Sequence, residues 1–182
     1  MATAVLVLHM QVGLVEHCGE VGTEVAERLV PALDAARGAG VPVIHVRLAY
    51  RPGLLDTKAA NRTPGSFNAG LVDGEPGAET LESLRGAGDL YVTNKRASAF
   101  KGSDLAVLLR SLGIDHLVLT GVSSGGVVIA TLMEAGDLDY QVTVLRDGCG
   151  DPRPGVHDML VEHLFVLRGD VPTVADWTAT LG

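Results

Sequence analysis

The chain has few aromatic residues, few cysteines and no concentration of positive charge, and each scarcity excludes a class of protein. Aromatic residues make up 4% of the 182 residues, and the two cysteines are Cys18 and Cys149. Two cysteines without metal-ligand spacing predict neither a disulfide framework nor a zinc module. A disulfide between them stays open as an alternative to reduced thiols. The net charge of −8 argues against a nucleic-acid surface.

Long apolar runs are missing as well. The amino-terminal stretch MATAVLVLHM has no basic segment, and its apolar part is too short for a signal peptide or a membrane span. We therefore expect a cytoplasmic protein with no membrane partner. The chain is otherwise 47% hydrophobic with 23 glycines, which is typical of a packed globular core and not of a disordered chain.

Apolar runs alternate with helical patterns along the whole chain. The runs predict strands at 4–9, 41–49, 89–94, 116–122 and 141–147. Helical stripes lie at 24–40, where Thr23 is a candidate cap, and at 105–113, 127–137 and about 154–167. Strands that are apolar on both faces are typical of parallel sheets covered by helices. The sequence predicts a single domain, 1–182: a three-layer α/β/α sandwich with a central, mainly parallel sheet of about six strands.

One connection, residues 50–88, is much longer than the others and contains the stretch NRTPGSF. Loops of this length in compact domains are usually functional lids or disordered segments, so a lid or a disordered segment is predicted here. Ligands of such sheets bind beyond the carboxyl ends of the strands. His9, Arg47, Asn94 and residues 122–123 all leave strands at that edge, and we expect them to converge.

Four segments in the same order resemble the isochorismatase-like family, which includes nicotinamidases and other cysteine hydrolases. They are AVLVLHMQVGLVE, AGVPVIHVR, VTNKRASAFKGSDLAVLLRSLGIDHLVLTGV and SSGGVVIATLMEAGDLDYQVTVLRDGCGD. The resemblance covers nearly the whole chain. It implies the α/β/α fold and, for the family's hydrolases, an Asp–Lys–Cys triad in which the thiolate attacks a carbonyl.

At the three triad positions this chain carries other residues. His9 stands where the resemblance implies the aspartate, Asn94 where it implies the lysine, and Val127 where it implies the cysteine. Lys95 follows one residue later and would point to the opposite face of the strand. A valine cannot act as a nucleophile, so the sequence excludes the family's covalent cysteine chemistry.

His9 and Asn94 replace a charged pair by groups that can both be neutral, so no orphaned buried charge remains. Asn94 can bond one imidazole nitrogen and fix the tautomer, which would leave the other nitrogen to the cleft. Imidazole titrates near neutral pH and suits general acid–base catalysis. We therefore assign catalysis to His9 and Asn94. The alternative is that His9 only fills the strand end and bonds a carbonyl group.

The resemblance also implies a cis peptide at Val122–Ser123 and an oxyanion hole with N–H donors at Ser123 and Val127. Ser124 is interpreted as a helix cap in preference to a nucleophile, because no partner base is evident. Arg51 and Arg62 are further candidates to hold an anion. The residues assigned to substrate binding are Gln11, Arg47, Arg96, Ser98, Phe100, Ser123, Ser124, Gly126 and Val127. The stretch VRLAYRP after the second strand lacks the family's metal ligands, so neither a metal nor a cofactor is predicted.

Three functions stay open. The first is an enzyme that uses His9 for acid–base chemistry on a small, anionic metabolite of secondary metabolism: enol-ether hydrolysis, cyclisation, elimination or isomerisation. The second is a noncatalytic binding or scaffolding protein on the same fold. The third, a conventional amidase, needs a nucleophile that the sequence does not place in the site. A polar, lidded cavity at His9 would favour the enzyme, and large side chains filling it would favour the second function.

We predict that the protein forms a homodimer or a larger homo-oligomer. Its mean hydropathy of +0.28 is high for a small domain, which suggests that an apolar surface is covered by another copy. Multi-angle light scattering at micromolar concentration should give at least twice the mass of the chain. A monomer mass under those conditions would contradict the prediction.

Overall fold

The computed structural model describes residues 1–58, 60–61 and 70–182. Its strands are β1 (Thr3–Leu8), β2 (Val43–Leu48), β3 (Leu90–Asn94), β4 (His116–Val122) and β5 (Gln141–Gly150). Its helices are α1 (Val12–Gly38), α2 (Leu105–Ser111), α3 (Ile129–Asp137), α4 (Val156–His163) and α5 (Val174–Thr178). The strands form one sheet in the order β3-β2-β1-β4-β5, and all four neighbouring pairs are parallel. The predicted α/β architecture is confirmed.

Alternate residues of each strand enter two separate cores, one on each face of the sheet. Leu6, Leu8 and Ile44 pack in the cluster that also holds residues of α2, α3 and α4. Val5 and Val7 pack in the cluster that α1 covers. Because side chains alternate along a strand, this burial on both sides explains why the strands are almost continuously apolar.

The sheet has five strands in the described chain, and the prediction of about six was wrong. Residues 170–172 lie beside β5 at the place of a sixth strand but pair through a single bridge, Thr143 with Asp170. Three backbone hydrogen bonds connect them: Asp170 N–H to Val142, Val144 N–H to Asp170, and Arg146 N–H to Pro172. Pro172 has no N–H to continue the ladder, so the strand ends there.

Helix α1 begins twelve residues earlier than the sequence pattern predicted, at Val12. It bends at Gly19, whose φ is 59°. Thr23 does not cap it; its hydroxyl group donates to the carbonyl of Gly19 within the helix. The first turns of α1 thereby reach the carboxyl edge of the sheet. Arg62 and most of the stretch NRTPGSF in the predicted lid lie outside the described residues. In the described part of the chain, no helix is long and apolar enough to cross a membrane.

A buried carboxylate fixes the position of β3. Asp89 accepts two hydrogen bonds from Arg37 in α1, at 3.0 and 2.7 Å, one from His45 Nε2–H in β2 at 2.8 Å, and one from the N–H of Gly86. Burial alone would raise the pKa of Asp89, but these donors outweigh it and hold the pKa below its usual value. The carboxylate therefore joins the end of α1 to two strands.

Replacing Asp89 by alanine should lower the free energy of unfolding by about 3–5 kcal/mol, because Arg37 and His45 lose a buried partner. Asp34→Ala is the matched control: Asp34 pairs with the same arginine but its side chain is 69% exposed, so its loss should cost less than about 1 kcal/mol. Urea denaturation measures both. The contribution of Asp89 should be present at neutral pH and disappear as the pH falls through its lowered pKa. Equal effects of the two substitutions would contradict this assignment.

Candidate functional site

The carboxyl ends of three strands meet at one edge of the sheet. His9 follows β1, Asn94 ends β3, and Ser123 follows β4. β2 lies between β1 and β3. Asn94 therefore reaches His9 across the end of an intervening strand and not from a neighbouring one. At Gly121 a β-carbon would lie 2.1 Å from the carbonyl oxygen of Leu8. Only glycine therefore allows β4 to approach β1 this closely beside the site.

The backbone of His9 has a φ of 54°, in the left-handed region that few residues other than glycine adopt. Its N–H donates to Val46 in β2 at 2.9 Å, and its carbonyl accepts from the N–H of Gln11 at 2.8 Å. The chain thus turns sharply between β1 and α1 at His9. Non-glycine residues in this region cluster at functional sites, because the surrounding structure must hold them there.

Asn94 determines the tautomer of His9. The Asn94 amide nitrogen donates to the carbonyl groups of Arg96 at 2.8 Å and Ser98 at 3.0 Å. Its oxygen therefore faces His9, 3.1 Å from Nε2. Since an amide oxygen only accepts, the proton of a neutral His9 ring must be on Nε2. Nδ1 then carries the lone pair, and it has no hydrogen-bond partner among the described residues.

Burial determines the charge of this imidazole. His9 is 5% exposed. Loss of hydration lowers the pKa of His9 to about 4, although the hydrogen bond to Asn94 acts in the opposite direction. The ring is therefore neutral at physiological pH. The expectation of an imidazole that titrates near neutral pH does not hold, because the sequence pattern did not reveal how completely the ring is enclosed.

His9 lines a cavity of about 670 Å³ at this edge of the sheet. Its wall is mainly apolar and includes Leu14, Leu48, Val122, Val127 and Ile129, together with Ser123, Gly125, Gly126 and Tyr50. Large side chains do not fill it. In the described part of the chain, His, Cys, Asp and Glu side chains form no group of three that could hold a metal ion.

Of the predicted binding residues, Ser123, Gly126 and Val127 line the cavity with His9. The remaining six do not. Gln11 is fully buried, and its amide bonds the backbone of Leu48 and Ala78. Phe100 packs in the core against Tyr140.

The predicted arginines also lie outside the cavity wall. Arg47 pairs with Glu79 at 3.2 Å and lines a separate surface pocket. Arg96 donates to the carbonyl groups of Lys95 and Asp56. Arg51 pairs with the Asp56 carboxylate at 3.2 Å. These three arginines are thus bound by carboxylates and backbone carbonyl groups outside the cavity.

Ser98 is buried beside Asn94 and belongs to the support of the site. Its carbonyl oxygen accepts from the Asn94 amide at 3.0 Å, and its hydroxyl accepts from the N–H of Phe100 at 3.2 Å. Lys95, one residue after Asn94, donates to the carbonyl of Ala49 and lies 3.7 Å from Asp56. Lys95 therefore does not take part in the His9–Asn94 pair.

The loop after β4 contains the expected cis peptide, Val122–Ser123. A π-helical turn, Ser124–Val128, follows it and leads into α3. The N–H groups of Gly126 and Val128 donate to the carbonyl of Ser123, at 3.1 and 3.3 Å. These bonds do not use the N–H groups of Ser123 and Val127, which the sequence analysis assigned to an oxyanion hole.

Ser124 has the partner base that the sequence did not reveal. Its hydroxyl lies 2.8 Å from Nδ1 of His157, which α4 contributes. Ser124 is completely buried and does not line the cavity, so it serves neither as a nucleophile nor as a helix cap. The bond instead fixes the back of the loop. His157 is half-buried for this reason.

Arg153 is the cationic residue of the cavity wall that sequence reasoning missed. The buried Asp151 carboxylate holds it through two bonds, at 2.8 and 2.9 Å, and also accepts the N–H of Gly125 at 2.8 Å. These bonds use one proton of Nε and one of Nη2, so the remaining guanidinium protons stay available. A β-carbon at Gly125 would lie 2.3 Å from Nη2 of Arg153, so a larger residue there would displace the guanidinium group.

Two neighbouring residues of α1, His17 and Cys18, also line the cavity. Cys18 is 7% exposed, and burial, aided by Asp151, raises the pKa of its thiol to about 11. Cys149 instead packs in the core and its thiol donates to Leu119. No sequence pattern pointed to Cys18, because its position depends on the early start of α1 and its bend at Gly19.

Comparisons with known proteins show the family of the chain. The model of the isochorismatase domain matches residues 3–176, and the chain belongs to this family. The maleamate amidohydrolase of Pseudomonas putida is 28% identical over 151 residues, 82% of this chain and 71% of that protein. An Arabidopsis thaliana protein described as a probable inactive nicotinamidase is 28% identical over 98% of this chain and 96% of its own. A solved isochorismatase family protein from Burkholderia thailandensis is 28% identical, with a TM-score of 0.87 over 99% of this chain and 95% of its own.

The burial of the two cysteines predicts how fast each thiol is alkylated. We expect iodoacetamide to modify Cys18 slowly at neutral pH and about tenfold faster for each pH unit towards the thiol pKa of about 11, because the thiolate is the reacting form. Cys149, whose pKa burial raises to about 12, should stay unmodified in the folded protein. Peptide mass spectrometry measures both, with Cys18→Ser as the control. Fast labelling of Cys149 would contradict this arrangement.

Proposed function

We propose that the protein is an isochorismatase-family enzyme that works without a covalent cysteine intermediate and uses the neutral imidazole of His9 as a general base. The observation that carries the proposal is the His9–Asn94 hydrogen bond. It puts the proton on Nε2 and leaves the lone pair of Nδ1 for the cavity. General bases of enzymes are positioned by such a third group.

The basicity of His9 supports this role. A pKa of about 4 gives the imidazole nearly the proton affinity of an ordinary aspartate, about 3.9. The base strength of an ordinary aspartate is thus matched, whereas its charge is not. An aspartate becomes neutral when it takes a proton, but His9 becomes a cation. A cation in a poorly hydrated cavity stabilises negative charge that develops on the substrate.

The same pKa selects among the reactions that the sequence left open. Enol-ether hydrolysis begins with proton donation, and a neutral His9 has little of the protonated form to donate from at physiological pH. Elimination, isomerisation and cyclisation can begin with removal of a proton from carbon or oxygen, which needs the unprotonated ring. We therefore favour a reaction started by proton abstraction.

The cavity wall supports a small anionic substrate with an apolar body. Arg153 is the one residue among the described lining residues with a permanent charge, and no acidic side chain lines the cavity with it. Asp151 holds the guanidinium in a fixed orientation. A substrate carboxylate could use the protons of Arg153 that Asp151 does not.

A noncatalytic binding protein is the second candidate. The Arabidopsis relative with matching length is described as probably inactive. In addition, a weakly basic His9 can equally well accept a hydrogen bond from a ligand without removing its proton. A conventional amidase has less support, although the Pseudomonas putida relative is an amidohydrolase. Val127 stands at the nucleophile position and Cys18 has a raised thiol pKa, so neither supplies the attacking thiolate.

Nitrobenzisoxazole is a suitable probe, because removal of one carbon-bound proton opens its ring to a coloured nitrile phenolate. We expect His9→Ala to lower the rate of this elimination by about 10²–10⁴-fold, the usual contribution of a general base. The wild-type rate should be constant at neutral pH and fall as the pH drops through about 4, where His9 takes up a proton. Stopped-flow absorbance measures both.

His163→Ala is the matched control, because this histidine lies on α4 with a side chain 72% exposed. It should leave the rate unchanged, and circular dichroism should show that both variants are folded. A His9→Ala rate within about threefold of the wild type, less than about 1 kcal/mol at the barrier, would rule out His9 as the base. Retained thermal stabilisation by small carboxylates would then favour the binding protein.

A further inference from the structure

We propose that Tyr50 is a second catalytic residue of the cavity, whose hydroxyl group donates a hydrogen bond to the oxygen atom on which negative charge develops when His9 removes a proton. The proposal rests on the function proposed above and adds the group that completes the proton-transfer chemistry. No motif in the sequence singled out Tyr50, which follows β2 at the start of the long connection.

The hydroxyl group of Tyr50 is the first observation. Tyr50 is 3% exposed and lines the same cavity as His9. No residue of the described chain bonds its hydroxyl group. In that part of the chain, two polar side-chain atoms are both fully buried and without a partner: His45 Nδ1 and Arg47 Nε. The Tyr50 hydroxyl group is not one of them. The Tyr50 hydroxyl therefore keeps accessible surface, and for a residue enclosed in this way the cavity provides it.

The same reasoning applies to Nδ1 of His9, which also lacks a partner and is absent from that pair of buried atoms. Besides the free guanidinium protons of Arg153, the cavity thus receives an unpaired acceptor from His9 and an unpaired neutral donor from Tyr50, in a wall that is otherwise mainly apolar. Polar groups left unpaired in such a wall are usually those that bind the reacting part of a ligand.

Backbone contacts fix the position of Tyr50. Its N–H donates to Leu71 and its carbonyl accepts from the N–H of Asp73, both at 2.8 Å. Its side chain packs with Leu14, Leu48 and Leu71 in a small apolar cluster. Tyr50 is therefore held between α1, the end of β2 and the returning part of the long connection, as catalysis by a positioned donor requires.

The ionisation of Tyr50 suits a donor. Burial raises the pKa of its hydroxyl group, although the positive charge of Arg96 partly opposes the shift. The hydroxyl group therefore keeps its proton at neutral pH, where His9 is an unprotonated base. One residue can accept a proton while the other donates, without either having to change its charge beforehand.

The elimination of benzisoxazole shows how the two groups would act. His9 Nδ1 takes the proton from the ring carbon, the electrons of that bond form the nitrile, and the nitrogen–oxygen bond breaks. Its electron pair goes to the phenolate oxygen, which the Tyr50 hydroxyl group stabilises. Proton exchange with water then restores His9. No oxidant, reductant or metal is needed.

The leaving group distinguishes the two roles. A nitro-substituted phenolate carries its charge with little help, whereas an unsubstituted phenolate is a poor leaving group. We expect Tyr50→Phe to slow the unsubstituted benzisoxazole by about 10²-fold, the usual effect of losing one such donor, and the nitro compound by less than about threefold. His9→Ala should slow both compounds to a similar extent.

Tyr91→Phe is the matched control, because this tyrosine is 47% exposed and does not line the cavity. Circular dichroism should show that the variants are folded. A second measurement needs no variant: the wild-type rate should depend less on the leaving group than the rate with free imidazole does.

The outcomes separate the two proposals. A Tyr50→Phe variant that is unaffected with both compounds, or equally slowed with both, overturns the role of Tyr50 while the base function of His9 stands. The role of Tyr50 is also overturned if the wild-type rate depends on the leaving group as steeply as the rate with free imidazole does. A wild-type rate no higher than that of free imidazole contradicts the proposed function and this inference together.

Discussion

The burial of the central parallel strands on both faces is the constraint on which the rest of the structure depends. Parallel pairing directs all strand ends to one edge, and the two apolar cores leave that edge as the place where polar side chains can meet. His9, Asn94 and Ser123 gather there from three strands. The chemistry of the site is therefore a consequence of strand order, and the helices mainly enclose it.

Within this frame, the His9–Asn94 pair is a buried polar pair without charge. The family resemblance implies two charged residues at these positions, and two buried charges stabilise each other only while both are present. This chain has an imidazole and an amide instead, joined by a hydrogen bond of 3.1 Å. The loop after β4 is held separately, by His157 and Asp151.

Much of the fold could be predicted from the sequence, because strands buried on both faces have a strong apolar pattern. The His9–Asn94 pair was also predictable, because the resemblance to the isochorismatase-like family implies that these two positions share one site. The direction of Arg47 was not, since its ion pair with Glu79 connects residues far apart in the chain. Likewise, Cys18 and Arg153 reach the cavity through the bend of α1 and the carboxylate of Asp151, which no local pattern reveals.

The incomplete sixth strand has a consequence for association between chains. The open edge of a sheet attracts further strands, and long apolar edges promote aggregation. Residues 170–172 occupy the hydrogen-bonding groups of β5 at Val142, Val144 and Arg146. A passing chain therefore finds this stretch of β5 already paired, and Pro172 adds no N–H to the ladder. Three residues thus keep the first half of the ten-residue strand β5 from pairing with another chain.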